Sequence, residues 1–103
     1  MGPVPLEAPV RETPTTAEPK VTVQWLPSYK VIVHNNDTNT FDEVIGVLMR
    51  AVPGLTLMGA IGFTYEIHLS GAAVVYVADL DEAEACANKI RAIGLKVTVE
   101  ADT

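Results

Sequence analysis

A chain of 103 residues has room for one small core at most, and a hydrophobic content of 49% is enough to build it. With 13 acidic side chains against 7 basic ones, the net charge of -6 argues against a nucleic-acid backbone as partner. The lone cysteine excludes an internal disulfide and suits a reducing compartment, and the longest apolar run, 72–78, falls far short of the roughly 20 residues that span a bilayer.

Pro3, Pro5, Pro9, Pro14 and Pro19 punctuate the first 20 residues, with Thr and Glu between them and no aromatic side chain. Such a segment buries too little apolar area to offset the entropy of ordering it, so residues 1–26 read as a disordered arm. Near its end Val21, Val23 and Trp25 alternate with Thr22 and Gln24, which fits a short edge strand or a lead-in pinned by Trp25. No basic stretch followed by an apolar run opens the chain, so the expected setting is the cytoplasm.

Residues 27–103 read as the folded domain. Tyr29, Lys30, Val31, Ile32 and Val33 are β-branched and aromatic types suited to a first strand, and the polar stretch 34–39 reads as a turn. Thr40 and Glu43 form a capping-box pair, after which Phe41, Val44, Ile45, Leu48 and Val52 recur at helical spacing until Pro53 and Gly54. A second helix is expected over 56–68, with Leu57, Ala60, Ile61, Thr64, Ile67 and His68 along one side. Ser70 and Gly71 stop it, and 72–78 is an apolar strand. Asp79 with Glu82 predicts another capping box, opening a third helix with Leu80, Ala83, Ala87 and Ile90 as its buried stripe. Gly94 closes that helix and 95–99 is the last strand. The order β-α-α-β-α-β predicts an α+β fold, three helices on a three-stranded antiparallel sheet.

Two histidines and one cysteine cannot supply the four ligands of a structural zinc site, and no Gly-rich phosphate loop occurs, so no metal and no cofactor is expected. A Cys86–His68 nucleophilic pair is conceivable, but Cys86 falls beside the apolar stripe and reads as an inert buried thiol. Asp79, Asp81, Glu82 and Glu84 first complement a helix dipole and second offer a docking surface. The turn containing Asn35, Asn36 and Asp37 and the His68 at a helix end each have an ordinary structural reading. Taken together, they provide a carboxylate, side-chain amides and an imidazole, the acceptors an ammonium group needs. Beside them Phe41, Val44, Ile67 and Val99 would line an apolar hole, the arrangement of a reader of free protein N-termini.

The run from Tyr29 to Asp37, the helix ending at Pro53 and Gly54, and then Ile67, His68 and Gly71 resemble ClpS, the adaptor of Clp proteases, over roughly residues 27–100. The resemblance implies a non-enzymatic adaptor that binds the first residue of N-degron substrates and delivers them to the N-terminal domain of a Clp unfoldase, ClpA or ClpC. It implies that Asn35 and His68 hold the α-amino group, helped by Asn36 and Asp37. Phe41 would be the gatekeeper, and Asn39, Thr40, Val44, Thr64, Ile67 and Val99 further pocket wall. Asp81, Glu82 and Glu84 would dock the unfoldase, and the arm would engage it. A monomer without nucleic-acid or membrane partners is implied.

Three departures from the family pattern stand out: Asn36 replaces an aspartate, Asn39-Thr40-Phe41 replaces Thr-Pro-Met, and Cys86 replaces a docking lysine in a shortened helix. These features are similar to a divergent branch of the family. Two other readings compete with the adaptor. One is a ClpS-like regulator of the unfoldase without N-degron binding; the other is an interaction domain like that of the ribosomal stalk, which carries exposed factor-binding lysines where this chain is acidic.

Overall fold

The computed structural model describes residues 27–102. The arm over 1–26, with the possible strand at 21–25, lies outside the described residues. The elements are β1 (Tyr29–His34), α1 (Phe41–Ala51), α2 (Leu57–Ser70), β2 (Ala72–Ala78), α3 (Leu80–Arg91) and β3 (Val97–Ala101). The sheet has the order β2-β1-β3 with both pairings antiparallel, as in the predicted class.

Alternation in β1 turns Val31 and Val33 toward the helices, and both are fully buried. Val33 faces Ala73 on β2 and Val97 on β3. A register shift between Val31 and Ile32 leaves Val75 without a direct partner, and its side chain joins the core. Leu48 and Val47 of α1 and Ile90, Ala87 and Ala83 of α3 complete the core from above.

Each helix starts on a side-chain cap. Thr40 Oγ1 accepts from Glu43 N–H at 3.2 Å while Thr40 N–H donates to Glu43 Oε1 at 2.9 Å, the reciprocal pair expected. Thr56 caps α2 through Gly59 N–H, and Gly71 ends that helix in the left-handed region, at φ 90°. Asp79 caps α3 through Glu82 N–H, but the reciprocal bond predicted there is not made; the Glu82 carboxylate accepts from the Tyr76 hydroxyl at 3.0 Å instead.

Other expectations shift. Only Ala60, Thr64 and Ile67 of α2 are buried, because the helix packs mainly on α1 and β2 among the described elements; Leu57 and His68 are exposed. Leu80, at the first position of α3, sits at the rim of the stripe and is 45% exposed, and Cys86 takes its place in the core. The last strand begins two residues late: Gly94 turns at φ 97°, and Leu95 and Lys96 are spent crossing back to the sheet. The Arg91 guanidinium donates to Val97 O at 2.8 and 3.2 Å and ties α3 to β3.

Candidate N-terminal residue site

The central strand delivers the polar turn to a fixed place. His34 N–H donates to Lys96 O at 3.0 Å and Asn35 N–H to Gly71 O at 2.9 Å, so the chain is held from both sides as it leaves β1. A cavity of about 270 Å³ opens there, lined by Asn35, Asn36, Asp37, Asn39, Thr40, Phe41, Val44, Thr64, Ile67, His68 and Leu95. That volume lies just under the roughly 300–1,000 Å³ of sites for drug-sized ligands, which is room for about one residue.

The wall is apolar. Val44 and Ile67 form its buried side, and Thr64, the one buried polar residue nearby, spends its hydroxyl on Ala60 O at 2.7 Å. Phe41 stands at the entrance, with its ring edge-on to Tyr65 (centroids 5.1 Å apart) and to His68 (5.2 Å). Val99, expected in the wall, is not there: it pairs with Val31 on the sheet and packs on the core. Leu95 takes that role because the turn after Gly94 carries it beneath the polar rim. Sequence reasoning missed Leu95 by assigning it to the strand.

The rim holds two kinds of polar side chain. Asn35, Asp37 and His68 are exposed and make no side-chain hydrogen bond to another described residue. Asn36 and Asn39 are half-buried and bonded to each other, to the turn backbone and to the 93–94 loop.

On α3, Asp81 is exposed in the first turn, Glu82 is held by Tyr76, and Glu84 meets Arg91 at 3.5 Å. Cys86 is buried, and burial pushes its thiol up in pKa, against any nucleophilic role. Among the described residues no group of three or more His, Cys, Asp or Glu is placed to hold a metal, and no helix is long and apolar enough to cross a membrane.

Residues 25–98 match the family model described as ATP-dependent Clp protease adaptor protein ClpS. This chain belongs to the ClpS family. It is 32% identical over 93 residues to the ClpS adapter of Synechococcus elongatus, covering 90% of this chain and 94% of that protein. It is 40% identical over 76 residues to the chloroplastic CLPS1 adapter of Arabidopsis thaliana, covering 74% of this chain but 48% of that longer protein. Its fold matches Agrobacterium tumefaciens ClpS2 bound to L-phenylalaninamide, with a TM-score of 0.68 and 27% identity over 74% of this chain and 98% of that one. ClpS proteins are adaptors of the Clp protease and not proteases themselves, and this chain carries the same fold.

Proposed function

We propose that this ClpS chain captures the first residue of a protein substrate in the cavity and presents that substrate to a Clp unfoldase. One observation carries the reading: three acceptors with no side-chain hydrogen-bond partner among the described residues, Asn35, Asp37 and His68, stand on the rim of an apolar hole sized for one side chain. An ammonium group has three N–H donors, and a large apolar first side chain would fill the space between Phe41, Val44, Ile67 and Leu95. The ClpS2 structure holding a phenylalanine amide, a free amine joined to a large apolar side chain, supports the same chemistry. The chain's net negative charge favours a cationic ligand over long range.

The unfoldase partner is the N-terminal domain of ClpA or ClpC, met by α3. Asp81 is the carboxylate available for that contact, since Glu82 and Glu84 already have partners within the chain. The chain works as a monomer, and its single, buried cysteine suits the cytoplasm.

The test is to titrate labelled peptides with a free and an acetylated N-terminus but the same large apolar first residue. Acetylation removes the charge and two of the three donors, so a loss of about ten- to a hundredfold in affinity is expected. His68→Ala should lower affinity for the free peptide by a similar factor while leaving the circular dichroism spectrum intact. If the two peptides bind alike, or neither binds, the chain is a regulator of the unfoldase and not a reader of N-termini.

A further inference from the structure

The turn that presents Asn35 and Asp37 is built on two side-chain amides whose orientation is fixed by their partners. Asn36 Oδ1 accepts from Thr38 N–H at 3.3 Å and Asn39 N–H at 3.1 Å, so its Nδ2 points the other way. That Nδ2 donates to Asn39 Oδ1 at 2.8 Å and approaches Gly94 O at 3.5 Å. Asn39 Nδ2 donates in turn to Ile93 O at 2.9 Å and Glu43 Oε1 at 3.1 Å. Both of those are pure acceptors, so Asn39 cannot be turned around without setting oxygen against oxygen. The two amides thus tie the rim turn and the adjoining first turn of α1 to the loop that leads into Leu95, which is distant in sequence.

We propose that Asn36 and Asn39 form a clasp that positions the site, and that Asn36 is a positioning residue and not a ligand of the substrate amine. Its oxygen is already given to the turn backbone and its nitrogen offers an ammonium nothing. The clasp holds the 93–94 loop against the rim and so sets where Leu95 stands in the cavity wall, which decides how large a side chain the cavity takes. The inference rests on reading the cavity as the N-terminal residue site. It reverses what charge counting gives: a carboxylate at position 36 adds a negative charge beside a cation and on that ground tightens binding. Within the clasp the same carboxylate has no N–H to give and sets its lone pairs against Asn39 Oδ1 and Gly94 O.

The variant Asn36→Asp separates the two. A fluorescent peptide with a free amine and an aromatic first residue is titrated at low and at high salt, beside one beginning with valine. With the clasp lost, affinity for the aromatic peptide falls by about tenfold, as expected for an unmatched partly buried acceptor pair. Its salt dependence stays no steeper than that of the unaltered protein, and its preference for aromatic over β-branched first residues narrows. Tighter binding at low salt with unchanged preference would make Asn36 a charge position and overturn the clasp. A second measurement needs no ligand: chemical denaturation of Asn36→Ala, Asn39→Ala and the double variant. Strongly non-additive losses support the clasp and additive ones refute it. If the unaltered protein binds no free-amine peptide, the functional reading fails, and this cycle alone decides the clasp.

Discussion

Phe41 is the wall residue whose removal is expected to change what the cavity admits. Its ring is 36% exposed and makes edge contacts with Tyr65 and His68, so Phe41→Ala removes two aromatic contacts but little core. At about 0.5–1.5 kcal/mol for each contact, the protein should lose roughly 1–3 kcal/mol of stability and remain folded. The effect on binding is separate. If the ring covers roughly 50 Å² of a bound apolar side chain, at about 25 cal/mol per Å² its loss weakens that ligand by ~1.3 kcal/mol, close to tenfold. Peptides beginning with valine or isoleucine, excluded on shape by the ring, should gain relative to those beginning with phenylalanine or leucine. The assay is fluorescence anisotropy over a panel of first residues, with circular dichroism to confirm the fold. An unchanged rank order across the panel would show that Phe41 serves only packing at the start of α1 and plays no part in selection.

Two further outcomes concern the scaffold. The Thr40 amide and then the Asn39 side chain hold the Glu43 carboxyl below its ordinary value of 4.5; its contribution to stability is therefore present above that pH and lost as pH falls through the lowered value. Thermal melts should show a smaller acid loss in Glu43→Gln than in the unaltered protein, and identical acid limbs would refute this linkage. Cys86, buried and raised in pKa by that burial, should react with a thiol reagent only at the rate at which the domain opens, so that labelling rises with denaturant. Rapid labelling in native buffer would contradict the buried placement.

The parts of the fold legible in sequence are those set by neighbours along the chain. Thr40 with Glu43, and Asp79 ahead of α3, announce helix starts because capping acts over three residues. The alternation of Val31 and Val33 announces β1 in the same way. What escaped depends on distance through space. α2 is apolar nearly all round, so periodicity could not separate the buried Ala60, Thr64 and Ile67 from the exposed Leu57, Met58 and Leu69. Leu95 looks like the start of a strand, and only the bond from His34 N–H to Lys96 O shows that the ladder begins beyond it. The run Asn35–Asp37 announced a polar site, but not that Asn36 turns away from it: of the acceptors it serves, Asn39 is local, but Gly94 becomes a neighbour only when β3 docks beside β1.

Because β1 is the central strand, the two ends of the described chain and the cavity lie at opposite poles of the sheet. Asp102 N–H donates to Ser28 O at 2.9 Å at one end, and His34 and Asn35 are held at the other. Six residues of strand at about 3.3 Å each put roughly 20 Å between them. The described chain thus begins and ends at the pole away from the cavity. Surface attachment or a reporter domain can therefore be engineered at that pole with the cavity open, whereas an insertion at 93–95 would displace the cavity wall itself.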